Sequence, residues 1–369
     1  MVTAKAVVTW VASYGLPDHT WQVTDRPLEA DTWEPAFSGA LRQRLIGHLQ
    51  AAVRDGALPV TDEQREAVED AHLAACASAL KLDRRLIEAA STLTEAGIDL
   101  LVLKGVAAAH LIYPRPELRS YGDIDVLFRS EQFDAALSVL SRMGYVRPLA
   151  QARPGFDRRF GKGATLHGQD GVELDTHRNL VFGTFGFAID LDELFDSAST
   201  FELGGLKLRA LGPETRLMHA CYHAALGDPD PRFGSIRDVA QLLAAGDFET
   251  LRVLTLARQW QARAVLARAF ALCHEHLGVE VGGPLVDTLR GYEPTARERR
   301  AIASYVGPNR HFAAKVVASL PYLDSMRDKL AFLGATALPS RQFAESRGDE
   351  PGLRWIRRGL RSLLQGGAR

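Results

Sequence analysis

Three acidic side chains carry the clearest chemistry in this sequence. In YGDIDVLF, residues 121–128, Asp123 and Asp125 flank a single isoleucine. Alternate residues of a strand point to the same side, so both carboxylates share one face while Ile124, Val126 and Phe128 share the other. Like charges at that spacing repel, and packing gives no reason for them. A divalent cation would remove the conflict. The segment VELDTH, residues 172–177, repeats the pattern, with Glu173, Asp175 and His177 on one face. If the two strands are neighbours, Asp175 faces the same cleft as the pair. Three converging carboxylates suit Mg²⁺, a hard cation that takes one or two carboxylates plus phosphate oxygens and keeps several waters. Two such ions ~3.5–4 Å apart activate the attacking oxygen and stabilise the leaving one in phosphoryl transfer. The bland reading of an isolated Asp-x-Asp is an exposed strand end.

The segments around the acids fit the chemical reading. LLVLKG, residues 100–105, reads as a short strand, and VAAAHLIY as a short helix stopped by Pro114 and Pro116. A strand feeding a helix offers free backbone N–H groups and a positive dipole end to a phosphate. Gly105 allows close approach of the backbone, and Lys104 adds a point charge. Upstream, residues 61–97 read as helical, as one helix or two, with Thr61 or Asp62 as cap and Gly97 as stop. Residues 130–144 form an amphipathic helix with Ser130 as cap and Gly144 at its end. ATLHGQDGVELDTH, residues 164–177, is a hairpin about Asp170-Gly171. Beyond Leu211 the runs carry helical spacing, and GGLKLRALGPE, residues 204–214, punctuates the chain. The division is therefore a poorly readable extension over 1–60, with one short helical run at FSGALRQRLIGHLQAAV, a catalytic unit over 61–208, and a helical domain over 209–369. The class is α+β, a small mixed sheet with flanking helices.

Composition sets bounds on function. The 369 residues are 46% hydrophobic and 24% charged with a formal charge of −1, so no global field recruits nucleic acid or an anionic membrane. Three isolated cysteines, Cys76, Cys221 and Cys273, fit reduced thiols better than a disulfide frame. The start, MVTAKAVVTWVASYGLPDHTW, lacks an apolar stretch of signal-peptide or membrane-span length, so the expected location is cytoplasmic.

Strand, glycine, helix, loop and then alternating acids form the layout of the polymerase-β-like nucleotidyltransferase superfamily. Within it, the chain resembles the bacterial family described as uncharacterised nucleotidyltransferases. That family's Lys-Gly, then Arg-x-x-x-Asp-x-Asp-h-Leu, corresponds to Lys104-Gly105 and the run from Arg119 through Asp123 and Asp125 to Leu127. Its h-Asp-h-His strand looks like Leu174 to His177, and its helix with a late His-Ala looks like RLMHACYHAAL, with His223-Ala224. The following SIRDVAQLL and the tail LAFLGATALPSRQFAESRG also match, so the resemblance spans about residues 62–364. The superfamily's Gly-Ser is absent, Lys104-Gly105-Val106 standing in its place.

The resemblance implies a polymerase-β-like core followed by an all-helical domain. It implies Asp123, Asp125 and Asp175 as ligands of two Mg²⁺ ions, with Asp175 also able to deprotonate the acceptor. Lys104 and the amides near Gly105 would hold the phosphates of a nucleoside triphosphate, and Arg119 would bind triphosphate or acceptor. His223 would touch nucleotide or acceptor, and His177 would support Asp175 from behind. The activity implied is transfer of a nucleoside monophosphate to an unidentified small molecule, peptide, protein or RNA end. Its alternatives are a non-catalytic nucleotide-binding maturation partner and a kinase-like γ-phosphoryl transfer.

Weaker signals read as structural. His219 and His223 lie one helical turn apart without a third ligand, which favours a packed contact facing the cleft over zinc. Arg237 and Asp238 read as packing and ion-pair residues. FGKGATLHG, residues 160–168, reads as a turn before the hairpin, with a phosphate loop as the alternative. The Arg-rich tail around Arg354, Arg357, Arg358 and Arg361 reads as a surface helix, with RNA or an acidic partner as the alternative.

Overall fold

In the computed structural model of the chain, the structure describes residues 2–17, 19, 23–278, 282–307 and 310–348. The Arg-rich tail lies outside them. Six strands form one mixed sheet: β1 (Leu100–Val102), β2 (Ile124–Phe128), β3 (Gly163–His167), β4 (Glu173–His177), β5 (Ser199–Leu203) and β6 (Leu206–Ala210), in the order β3-β4-β2-β1-β6-β5. The pairs β2–β4 and β1–β6 are parallel, and the remaining pairs are antiparallel.

Both faces of the central strands are covered, which is why β1 is apolar throughout and every residue of β1 and β2 is buried, Asp125 included. Leu100, Val102, Ile124, Val126, Phe128 and Leu174 enter the core against helices α4 (Asp62–Glu95) and α6 (Phe133–Arg142), meeting Leu86, Leu93, Phe133 and Leu140. Leu101, Leu103 and Leu127 enter a second core on the other face. That core is built from α1 (Ala4–Ser13), α2 (Ala30–Arg42), α3 (Ile46–Arg54), α9 (Pro213–Leu226) and α10 (Phe233–Ala245). Asp125, Asp175 and His177 alternate with the first core's residues, so they face this second, helical side. Between these lie α5 (Lys104–Leu111), α7 (Phe156–Phe160) and α8 (Leu191–Asp196), and further helices follow from Thr250 to Ser346.

Local signals explain most boundaries. Thr61 caps α4 through a reciprocal capping box with Gln64, and the helix then runs unbroken for 34 residues. The helix expected from Ser130 instead starts at Phe133, behind Gln132. Gln132 is engaged elsewhere: its amide accepts from the Asp99 N–H at 3.1 Å and donates to the Gly97 carbonyl at 3.0 Å, holding a turn ahead of the helix. The hairpin about Asp170-Gly171 is present, with Gly171 at φ 78°. The punctuated stretch after residue 203 is itself a hairpin. Gly204 and Gly205, both at positive φ, turn β5 into β6, whose Ala210 pairs with Val102 of β1.

The first sixty residues are more ordered than their sequence suggests. The single helical run expected there is two helices, α2 and α3, separated where Arg44 adopts φ 58°. Trp10 and Trp33 are buried with Leu217, Tyr222 and Val239 in the helical core. Among the described residues, no helix is long and apolar enough to cross a membrane, and the three cysteines are unbridged.

Candidate active site

Parallel pairing of β2 with β4 sets Asp125 directly opposite Asp175, and Leu127 opposite His177. Side chains in register on neighbouring strands project together, so the two acids meet on the helical side of the sheet. One ligating atom each from Asp125, Asp175 and His177 lies within 4.8 Å of the others. Thr165 on β3, opposite Asp175, donates its hydroxyl to Asp175 Oδ1 at 2.5 Å.

Asp125 is buried and carries most of the site's electrostatics. Its Oδ1 lies 2.8 Å from His177 Nε2 and 2.7 Å from Lys104 Nζ. Burial pushes its carboxyl pKa up, but the His177 hydrogen bond and the Lys104 ammonium outweigh that and hold it below the usual carboxylate range. An ionised carboxylate only accepts, so Nε2 of His177 carries the proton. Burial and the nearby Lys162 ammonium keep His177 from gaining a second one. Two buried atoms here, Asp125 Oδ2 and His177 Nδ1, have no hydrogen-bond partner among the described residues. The lone pairs of that carboxylate oxygen are therefore available to a donor or a cation.

The mutual repulsion of Asp123 and Asp125 is relieved by the protein's own cations. Asp123, just ahead of β2, pairs with Arg44 Nη1 at 3.1 Å and lies 3.8 Å from Lys104 Nζ. Burial lowers the Lys104 pKa, yet Asp125 and Asp123 together raise it above the ordinary value. Lys104 opens α5, whose N-cap Leu103 supplies no side-chain bond, and the Leu103 N–H donates to the Asp125 carbonyl at 2.9 Å. Gly105 has a packing reason as well: a Cβ there would stand 3.1 Å from Tyr121 Cβ, in the loop that delivers Asp123.

Lys162 is the residue that sequence reasoning passed over. Burial lowers its pKa, Lys104 lowers it further, and Asp125, Asp175 and Asp123 pull the other way. Its carbonyl accepts from the Arg178 and Asn179 N–H groups at 2.7 and 3.0 Å, fixing the backbone beside the end of β4. The flanking glycines are required by closeness: a Cβ at Gly163 would lie 1.8 Å from the Thr176 carbonyl, and one at Gly161 2.8 Å from Asp157 Cα. In the sequence the only sign is a lysine between two glycines, whose steric reason appears in the structure alone.

Arg119 does not join the acids. Its guanidinium grips Asp238 through Nε and Nη2 at 2.7 and 2.9 Å, and Tyr113 donates to the same carboxylate at 2.8 Å. His219 and His223 border a cavity of about 30 Å³ together with Lys104, Ser235 and Asp238. Burial, then the Lys104 and Lys162 charges, bring the His223 pKa down to about 3.

Could these residues hold a divalent cation? The bare Asp125 Oδ2 and the in-register Asp175 fit one. Carboxylates favour Mg²⁺ or Mn²⁺ over softer ions, and the Nε2 proton on His177 leaves that residue to orient Asp125.

Among curated proteins, none matches this chain. Two solved structures are similar to parts of it. One is the lincosamide antibiotic adenylyltransferase LnuA with lincomycin bound, at 14% identity and TM-score 0.31, covering 43% of this chain and 94% of that one. The other is an antigenic nucleotidyltransferase-like protein from Paracoccidioides brasiliensis, at 18% identity and TM-score 0.32, covering 55% of this chain and 99% of that one. The profile of the family described as uncharacterised nucleotidyltransferase matches residues 29–278, from α2 to the end of the helix carrying Cys273. That match takes in well over half of the chain and every acid, lysine and histidine described above, and the chain belongs to this nucleotidyltransferase family.

Proposed function

We propose that this enzyme transfers a nucleoside monophosphate from an NTP to an acceptor hydroxyl, with Mg²⁺ bound, and releases pyrophosphate. The observation that carries the reading is the register of Asp125 against Asp175, with Asp125 Oδ2 lacking a hydrogen-bond partner among the described residues and the Lys104 ammonium 2.7 Å from Asp125 Oδ1. In this reading Asp125, Asp175 and Asp123 hold the cation, which supplies Lewis-acid stabilisation of charge developing on the phosphate oxygens. Asp175 accepts the acceptor's proton, and its hydrogen bond from Thr165 fixes the oxygen that is left to do so. The new bond joins acceptor oxygen to α-phosphorus, and the bond that breaks leaves its electron pair on pyrophosphate. Lys104 and Lys162 hold the β- and γ-phosphates, their charges placed where negative charge builds up on the leaving group. The sheet and its flanking helices supply this chemistry and the helices from Pro213 onward close over it, bringing His223 to the nucleotide.

Labelled substrate tests the reading. With NTP, Mg²⁺ and cell extract as acceptor source, α-³²P should pass to an acceptor and γ-³²P should leave as pyrophosphate. Transfer of γ label would make the protein a kinase. Saturable NTP binding with neither label moving would make it a binding protein. Absence of any NTP affinity would refute the nucleotide site altogether.

A further inference from the structure

The link between α2 and α3 forces one non-glycine residue into the left-handed region, and that residue is Arg44, at φ 58°. The link is pinned on both sides. The Arg44 N–H donates to the Leu41 carbonyl at 3.0 Å, the Leu45 N–H to the Ala40 carbonyl at 2.9 Å, and Gln43 Oε1 accepts from the Phe233 N–H of α10 at 2.9 Å. Glycine or asparagine would occupy this conformation at lower cost. The side chain crosses 79 positions of sequence to reach Asp123, with Nη1 at 3.1 Å from Oδ1. Room for it is made by Gly122, where a Cβ would lie 3.2 Å from Arg44 Nη2.

Stability alone does not explain this arrangement. The Arg44 side chain is 40% exposed, and an ion pair that open contributes little to folding. Strained conformations held by their surroundings gather at functional sites. Nε and Nη2 donate to no acceptor among the described residues, so the guanidinium fork keeps donors available beside Asp123. Lys104, 3.8 Å from the other oxygen of Asp123, marks where the phosphate chain of the proposed donor would run.

We infer that Arg44, delivered by the N-terminal helical segment, binds the phosphate chain of the donor nucleotide while holding Asp123 in place, which makes the first sixty residues part of the active site. The inference rests on the nucleotidyl-transfer reading. A planar fork meets two phosphate oxygens at once, as an ammonium does not.

Arg44→Gly separates this role from a structural one, because glycine removes the side chain and relieves the backbone together. Its Tm should equal or exceed that of the parent chain. Its affinity for Mg²⁺-pyrophosphate and for NTP should fall about 10- to 100-fold, as expected for lost charge-assisted hydrogen bonds, with nucleoside affinity unchanged. Arg44→Lys should recover part of the loss. Unchanged pyrophosphate affinity in Arg44→Gly, with the parent chain binding normally, overturns the inference alone. A lower Tm with equal losses for nucleoside and pyrophosphate also overturns it, in favour of a structural arginine. A parent chain that binds neither NTP nor pyrophosphate overturns the functional reading and this inference with it.

Discussion

Two clusters of buried charge flank the small cavity beneath Lys104, and they are finished to different degrees. In one, Arg119 meets both oxygens of Asp238, and Tyr113 donates to the same carboxylate. Every charge there has its counterpart, and the cluster ties the loop ahead of β2 to α10. In the other, Asp125 gives one oxygen to both His177 and Lys104 and leaves the second bare, while the buried Lys162 has no carboxylate at hydrogen-bond distance among the described residues and feels the Lys104, Asp125 and Asp175 charges. Completed charge networks hold a fold in one arrangement. An incomplete one keeps valence for a ligand. In the sequence Arg119 is assigned to triphosphate or acceptor binding and Asp238 to an ion pair; the structure joins the two to each other.

Substitutions should separate the two clusters by which measurement moves. The largest effect falls on catalysis: Asp125→Asn should lower nucleotidyl transfer by on the order of 10³-fold or more, the scale of losing several kcal/mol of metal-assisted stabilisation. Its stability should drop only modestly, because asparagine still accepts from Lys104. Near-parental turnover in this variant would remove Asp125 from the mechanism. Asp238→Ala should invert the pattern. Removing one partner of a buried pair leaves Arg119 uncompensated, at about 3–5 kcal/mol in urea unfolding. A loss below about 1 kcal/mol would show the pair to be no better than a surface ion pair.

Lys162→Met should weaken NTP binding by about 10- to 100-fold and leave nucleoside binding unchanged. Equal losses for both ligands would return Lys162 to a structural role. The last effect concerns His223 and is seen only at acid pH. Its folded pKa of about 3 lies far below the ordinary histidine value, so the folded form stays neutral where the unfolded chain gains a proton. Stability from this group is therefore complete above about pH 6.5 and is lost as pH falls toward 3. His223→Gln should flatten the decline of Tm across that window. An unchanged slope would mean that other groups account for it.

The pieces legible in the sequence are those whose signals are local. Alternation marked β2 and β4, Asp170-Gly171 marked the hairpin, and Thr61 with Gln64 marked the start of α4. Pairing of β2 with β4 was only conditional, because nothing local states which strands are neighbours. The unreadable pieces depend on distant partners. Gln132 displaces the expected cap by bonding residues before β1. The β5–β6 hairpin looks like punctuation until β1 lies beside it. Arg44 is a left-handed residue that no turn signal announces, and its partner stands 79 residues away. At the site, the acids and Lys104 were legible as a pattern of charge in apolar strands. Lys162 was not, because the reason for its glycines is a steric closeness visible only in three dimensions.

The parallel register of β2 and β4 also sets a schedule for the growing chain. A parallel pair cannot close by a tight turn, and here the bond between Asp125 and His177 spans 52 residues. The clamp of Arg119 on Asp238 spans 119. Such long-range contacts close slowly and late, after local helices and hairpins have formed. During synthesis, α4 and the β3–β4 hairpin can therefore form while the acids are still apart. Until α10 has left the ribosome, the loop carrying Asp123 lacks its anchor. An incomplete chain would thus carry its acids and lysines without the geometry to use them, so truncated products of this gene should be catalytically silent however much of the sheet they contain.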